Sequence, residues 1–286
     1  MSRPDKRPII IYTPESDLRT PLVLLRQMFR DLAAARYLGW RLFARDIAAM
    51  YRQSLLGVVW TILPPIVTGI AFIVLRSKNV VNFGETDIPY PVFALTGTTL
   101  WQVFVESLNA PLKTVSQARS VITKINFPRE GLIISAFYKV LFGASIKAIV
   151  LVGILFYFDV SFQIGMLYAP FAVVILIGLG ITIGLLLTPL GMLFTDIQSA
   201  LLVAVQFWFF LTPVVYPAPT TFPYSLLVTL NPVSPLLVGA RSLLVEGTLA
   251  SPAQFFGATI VALLGFMVAW LIFRVSLHII IERIGQ

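Results

Sequence analysis

Residues 131–158 read GLIISAFYKVLFGASIKAIVLVGILFYF, an apolar run of 28 residues whose only charged side chains are Lys139 and Lys147. As a helix this run would be about 42 Å long, whereas the hydrocarbon core of a bilayer is about 30 Å thick. The run therefore predicts a membrane-spanning helix that tilts or protrudes. Its lysines require an explanation, because a charge at the bilayer centre costs at least about 2.5 to 3.5 kcal/mol on insertion scales.

Apolar runs of this kind recur along the chain, of which 58% of the residues are hydrophobic and 12% are charged. About 25% charged residues would be typical of a soluble domain, so the composition predicts a membrane protein. Five more runs approach the roughly 20 residues that cross a bilayer: residues 56–75, 91–108, 167–187, 201–217 and 255–273. The sequence thus predicts an all-α fold with a leader, residues 1–55, and one six-span membrane domain, residues 56–286. Within the fourth span, the GxxxG of Gly180 and Gly184 predicts close helix packing.

The charged leader precedes the first long apolar run, so we expect it to remain attached rather than to be cleaved as a secretory signal. On a helical wheel one face carries Trp40, Phe43, Ile47, Met50, Tyr51 and Ser54, and the opposite face carries Arg41, Arg45 and Arg52. Leu42 departs from this pattern. The pattern predicts an amphipathic interfacial helix with its arginines towards anionic lipid or a cytoplasmic partner. An ordinary juxtamembrane anchor is the alternative.

The distribution of Lys and Arg indicates how the spans are oriented. The leader carries ten of these residues, the connection between the second and third spans four and the tail two, against three on the other face. Both termini and that connection are therefore predicted to be cytoplasmic. The net charge of +8 follows from this topology, with anionic lipid headgroups as the surface partner, and requires no nucleic acid.

Ionisable side chains are scarce within the predicted spans, and Glu106 is the only carboxylate well inside one. Because Glu106 lies near the predicted cytoplasmic end of the second span, we expect it to pair with Lys139, which is shallow enough to snorkel. Lys147 lies near mid-membrane, where it either faces an aqueous lumen and meets substrate phosphate or contacts backbone carbonyls. The sequence has no catalytic constellation, its single histidine, His278, is assigned no role, and the absence of cysteine excludes thiolate chemistry.

Six segments, in order along the chain, carry a resemblance: ARDIAAMYRQSLLGVVWTILPPI (44–66), TGTTLWQVF (96–104), VITKINFPRE (121–130), FTDIQ (194–198), FWFFLTPVVYP (207–217) and NPVSPLLVGARSLLVEG (231–247). Together they resemble the permease subunits of bacterial polysaccharide ABC exporters, which are type-2 ABC exporters that move lipid-linked O-antigen, capsule or teichoic acid polymers. One departure is Ala-Ala-Met at residues 48–50, where such permeases often carry a basic residue after the Arg-Asp pair.

The resemblance implies a homodimer in the cytoplasmic (inner) membrane, with lipid-linked O-antigen as its cargo and two copies of a separate ATPase on the cytoplasmic side. ATP and Mg²⁺ would belong to that ATPase, because this chain has no GxxxxGK[ST] phosphate loop. We expect no cofactor and no metal on the chain itself, and no enzymatic activity.

The resemblance also makes the connection between the second and third spans a coupling helix seated in the ATPase. Pro128 fits this role because it disfavours helix at Phe127 and forces a break before the next span. The candidate coupling residues are Lys124, Phe127, Pro128, Arg129 and Glu130. A plain positive-inside loop is the alternative.

Further site residues follow from the resemblance, which implies that the first and fifth spans line the conduit and that residues 231–247 form a re-entrant outer gate. The conduit candidates, whose rings would let sugars slide past without fixed hydrogen bonds, are Trp60, Phe207, Phe210 and Tyr216. Candidate contacts to substrate phosphate are Lys147, Arg41 and Arg45, and the gate candidates are Pro232, Pro235 and Arg241. The alternatives are aromatic rings that face lipid or fill the bundle, and headgroup anchoring at the gate.

Other function classes fit the sequence less well. A secondary transporter typically carries inverted repeats, and no convincing repeat is present. A lipid-linked glycosyltransferase would need carboxylates near one interface, but Asp46, Glu130 and Asp196 lack metal-ligand spacing. A type-2 exporter of lipids or drugs shares the six spans, and the fifth-span aromatics together with FPRE favour a polysaccharide cargo over it.

We predict that the purified chain alone neither binds nor hydrolyses ATP, because it has no phosphate-binding loop. Phosphate release and binding of a fluorescent ATP analogue would be measured on a preparation shown by mass spectrometry to lack any ATPase. Turnover above the buffer blank would contradict the assignment.

Overall fold

The structure, a computed structural model, describes residues 21–52, 54–81, 86, 88–122, 128–219 and 221–284. Its regular elements within these residues are helical, which confirms the predicted all-α fold. In chain order they are α1 (Pro21–Arg52), α2 (Val59–Ser77), α3 (Tyr90–Ile122), α4 (Glu130–Tyr157), a short 3-10 helix (Ile164–Tyr168), α5 (Ala169–Leu193), α6 (Asp196–Leu211), α7 (Tyr224–Leu230), α8 (Val233–Glu246) and α9 (Pro252–Ile284).

A helix lies at each of the six predicted spans, and several of these helices begin or end at other residues than the predicted spans. In the described part of the chain, four helices are long and apolar enough to cross a membrane: α2, α4, α5 with the 3-10 helix before it, and α9 to Leu277. The pair α7 and α8, bent by 88°, gives a fifth if it counts as one span. The number of six spans stays a prediction, because α3 is not among these helices and α6 has only 16 residues, or about 24 Å of helix.

The second span was predicted to end at residue 108, but α3 continues to Ile122 and has 33 residues. Pro111 lies inside this helix without ending it. A proline removes one backbone hydrogen bond and crowds the preceding turn, yet neighbouring helices make it tolerable in membrane helices. Here its ring lies against α5, where a Cβ built at Gly184 would be 2.9 Å from Pro111 Cδ.

Helix α5 is the centre of the fold, because it packs against α3, α8 and α9. The GxxxG prediction is confirmed at its contact with α3. A Cβ at Gly180 would lie 2.9 Å from the backbone oxygen of Phe104, and one at Gly184 would clash with the backbone oxygen of Leu108. Only glycine therefore allows the two backbones to approach this closely.

Helix α1 packs alongside the first half of α4 and runs in the same direction. Residues later in α1 therefore contact residues later in α4. Gly39 lies against Gly131 and Ile134, and the Phe43 ring contacts the Tyr138 ring at a centroid distance of 5.9 Å. The predicted apolar face is divided, because Phe43 is buried while Trp40 and Met50 are exposed. Leu42, which departs from the wheel pattern, is buried in the core with residues of α4 and α9. The leader helix thus covers protein, and its placement in a headgroup plane stays a prediction.

We predict that Gly184→Ala destabilises the chain by about 1 to 3 kcal/mol, because the added methyl group forces α5 away from α3. Gly178→Ala in the same helix is the matched control, since a Cβ there meets no atom within 4 Å. Thermal unfolding of both purified variants in detergent would be compared with that of the parent chain. Equal midpoints for the two variants would contradict the packing assignment.

Candidate functional site

A cleft of about 720 Å³ opens between α1, α2, α3 and α4. Its wall combines aromatic, amide and charged side chains, among them Arg45, Asp46, Tyr51, Trp60, Glu106, Asn109, Lys113, Gln117, Lys139 and Phe142. The turn between α1 and α2 closes one side of it: the Ser54 hydroxyl accepts a hydrogen bond from the Gly57 amide at 2.9 Å. Gly57 has φ +52°, a conformation that glycine adopts without strain.

The deepest charge beside this cleft is Lys147, whose side chain is only 1% exposed and whose ammonium lies 2.6 Å from the Glu106 carboxylate. Neither of the two environments predicted for Lys147, an aqueous lumen or backbone carbonyls, included this carboxylate partner. Glu106 is 16 residues before the end of α3 and Lys147 is 17 residues after the start of α4. Because these consecutive helices run antiparallel, the two side chains lie at the same depth.

The predicted pair of Glu106 with Lys139 was wrong, because Lys139 forms an ion pair with Asp46 of α1 at 2.6 Å. Lys139 also donates a hydrogen bond to the Thr114 hydroxyl at 3.1 Å. The error came from ending the second span at residue 108, which placed Glu106 close to the cytoplasmic surface. The partner of Lys139 lies instead on the leader helix, 93 residues earlier in the sequence.

Three further cations in or near the cleft differ in the groups that they contact. Arg45 pairs with Asp46 at 2.7 Å, and 49% of its side chain is exposed. Arg41 lies over the Tyr37 ring at 5.8 Å, on the exposed side of α1. Lys113, one of the four cations predicted in the connection between the second and third spans, is an exposed cation of the cleft wall and forms no ion pair with any residue that the structure describes. The longer α3 was the feature that would have identified it.

The aromatic conduit candidates lie on outer surfaces of the single chain. Trp60 is 58% exposed at the cleft rim, and Phe207 and Phe210 are 70% and 65% exposed on α6. Trp208 points the other way, with its ring 5.4 Å from that of Phe104 and its Nε1 donating to the Asn231 side chain at 3.0 Å. Tyr216 follows α6 and donates to the Phe210 carbonyl at 2.8 Å.

The predicted coupling segment lies only partly within the described residues. Lys124 and Phe127 fall outside them, whereas Pro128 is exposed and Arg129 is partly buried. Glu130 is the first residue of α4, and its side chain is 6% exposed and pairs with Arg274 of α9 at 2.9 Å. Glu130 therefore contacts the membrane domain of its own chain.

The predicted outer gate contains a buried cation. Arg241 of α8 is 6% exposed, its guanidinium lies 3.7 Å from the Phe93 ring centroid, and it donates to the carbonyls of Pro213 and Val214 at 3.1 and 3.0 Å. It thus holds the extended segment after α6 against α3 and α8. Pro232 is exposed and Pro235 is partly buried at the start of α8.

The profile of the ABC-2 type transporter family matches residues 37–245 of this chain. The chain belongs to this family. The match runs from the middle of α1 almost to the end of α8, so the cleft, the coupling segment and the region around Arg241 all lie within it. The resemblance stated from the sequence motifs is thereby confirmed, and this ABC-2 chain is a membrane permease with several helices able to span a bilayer.

Relatives of this permease carry names from one transport system. It is 30% identical over 251 residues to the O-antigen export system permease protein RfbA of Myxococcus xanthus. This alignment covers 83% of this chain and 92% of the relative. The permease is 24% identical over 209 residues to a protein of the same name from Klebsiella pneumoniae, over 72% of this chain and 79% of the relative.

We predict that Glu106→Gln destabilises this permease by about 3 kcal/mol, because it leaves the Lys147 ammonium buried and unpaired. The double variant Glu106→Gln/Lys147→Met should recover most of the loss, since no buried charge remains. Thermal unfolding in detergent measures both, with Lys78→Met, an exposed position, as the control for loss of a lysine. A double variant less stable than Glu106→Gln would contradict this pairing.

Proposed function

We propose that this permease is the channel-forming subunit of an ATP-driven exporter that moves lipid-linked O-antigen across the cytoplasmic (inner) membrane, with both termini in the cytoplasm. Support comes from the family match over residues 37–245 and from relatives named as O-antigen export permeases. The orientation rests on the excess of Lys and Arg in the leader, in residues 109–130 between the second and third predicted spans, and in the tail. Export of lipids or drugs by a type-2 exporter is less well supported, because the relatives reported above carry O-antigen export names.

One observation supports the conduit most directly: two neighbouring helices leave most of their apolar residues uncovered, with Trp60 exposed on α2 and Phe207 and Phe210 exposed on α6. Only Pro65 and Gly69 of α2 are buried, and only Leu201, Val205 and Phe209 of α6. The helices meet where the Phe72 and Phe209 rings lie 5.7 Å apart. A second copy of the chain facing this surface would enclose a lumen lined by Trp60, Phe207 and Phe210.

The enclosed lumen would suit an extended glycan. Aromatic faces offer apolar contact to sugar rings without requiring a fixed set of hydrogen bonds, so successive sugars can pass. Tyr216 contributes a hydroxyl at the end of the same face, already committed to the Phe210 carbonyl at 2.8 Å. The functional complex is then a homodimer with two ATPase subunits that bind ATP and Mg²⁺, seated on the coupling segment around Phe127.

The charged cleft has the chemistry to receive the phosphate of the lipid carrier. Its wall carries three cations, Arg45, Lys113 and Lys139, against two carboxylates, Asp46 and Glu106, and it opens beside Trp60. Lys113 is the most available cation, because Lys139 and Lys147 already hold carboxylates at 2.6 Å. A phosphate contact from Lys147 would require Glu106 to move away, whereas Arg45 and Lys113 are exposed to the cleft without such a change.

The function is tested by cysteine placement, which a chain without native cysteine allows directly. We predict that a membrane-impermeant thiol reagent labels Phe207→Cys and Phe210→Cys in the complex with its ATPase, because these positions face water. A glycan stalled in transit should block both reactions, and each variant should slow export in a vesicle assay. Trp208→Cys is the matched control, since Trp208 packs on Phe104.

Labelling of Trp208→Cys as fast as of its neighbours would contradict the choice of face. Labelling of Phe207→Cys and Phe210→Cys that a stalled glycan leaves unchanged would contradict a polysaccharide conduit. Failure of the chain to retain an ATPase subunit on purification would contradict the exporter assignment itself.

A further inference from the structure

One arginine near the end of α9 joins three helices. Its Nη1 donates to the Glu130 carboxylate of α4 at 2.9 Å, and its Nη2 donates to the Asp31 carboxylate of α1 at 2.8 Å. This residue, Arg274, has a side chain that is 25% exposed, between Glu130 at 6% and Asp31 at 32%. We call Asp31, Glu130 and Arg274 the three-helix clamp.

The clamp is attached to the start of α4, directly after the predicted coupling segment. Glu130 is the first residue of α4 and follows Pro128 by two positions. A displacement of the coupling segment would therefore move the Glu130 carboxylate before it moves the rest of α4. Because a guanidinium binds two carboxylates in a fixed planar arrangement, a displaced Glu130 carries Arg274 and, through it, Asp31.

Apolar contacts join α1 to α9 beside the clamp. The Phe29 and Trp270 rings pack edge to face at 5.5 Å, and Met28 is fully buried against the core. These apolar contacts hold the helices together while permitting sliding, whereas the two ion pairs fix a direction. A third ion pair, between Lys139 of α4 and Asp46 of α1, joins these two helices directly at the cleft.

We propose that Arg274 is a positioning residue for energy coupling: it makes α1 and α9 follow α4 when the ATPase displaces the coupling segment. Because α1 forms one wall of the charged cleft, its movement changes the width of that cleft. Movement of α1 therefore links ATP hydrolysis by the partner subunit to opening of the cleft, at the end where a lipid-linked substrate enters. The inference rests on the proposed function, since it requires an ATPase partner and a transported substrate.

The experiment measures export of lipid-linked glycan and ATP hydrolysis in the same vesicles, for the permease purified with its ATPase. Arg274→Gln is expected to lower the number of glycans exported per ATP by about fivefold to tenfold, within the usual range for coupling between sites. Asp31→Asn, at the most exposed clamp residue, should lower the same ratio without loss of protein. Arg36→Gln, an exposed arginine of α1, is the matched control and should leave the ratio unchanged.

The charge-conserving variant Arg274→Lys separates a coupling role from a merely structural one. It keeps a cation between the Glu130 and Asp31 carboxylates, so it should retain at least half of the parent ratio if the clamp transmits movement. An Asp31→Asn variant of normal abundance with the parent ratio would overturn the inference, as would clamp variants that lower export and hydrolysis in equal proportion. A parent chain that retains no ATPase would overturn the proposed function and the inference with it.

Discussion

The charges of α4 must each find an opposite charge on another helix, and the arrangement of the bundle depends on this requirement. Glu130 pairs with Arg274 of α9, Lys139 with Asp46 of α1 and Lys147 with Glu106 of α3. An unpaired ion in an apolar interior costs several kcal/mol, so a shift of α4 relative to any of these helices is opposed. The three pairs fix its depth, its rotation and the position of the leader helix.

Apolar packing and ion pairs lie in different parts of this bundle. Close contact of α5 with α3 through Gly180 and Gly184 forms a rigid centre, while α2 and α6 carry little of the core and leave Trp60, Phe207 and Phe210 exposed. Charged contacts concentrate around α4 and the cleft. A rigid centre with an open aromatic side and a charged entrance is consistent with a protein that must guide a polymer without holding it.

The sequence predicted which faces of the helices carry aromatic residues better than it predicted which side chains contact each other. The face shared by Phe207 and Phe210, opposite Trp208, follows from helical spacing alone, and both rings are exposed in the structure. The partner of Lys147 was missed because it depends on where α3 ends: a helix that continues through Pro111 to Ile122 places Glu106 at its midpoint. Arg241 was named as an outer-gate candidate, and its burial over the Phe93 ring is a contact that the sequence did not indicate.

By itself the sequence determined that the chain is a helical membrane protein, that a helix lies at each long apolar run, and that the chain belongs with ABC-2 transporters. These three conclusions follow from the local length of apolar runs, from the charge distribution and from short motifs. The tertiary structure alone decided which charges pair, which face of the leader helix packs on α4, and that Arg274 joins three helices. These contacts link residues as far apart as Asp31 and Arg274, and they depend on the relative depth and rotation of helices, quantities that no local pattern specifies.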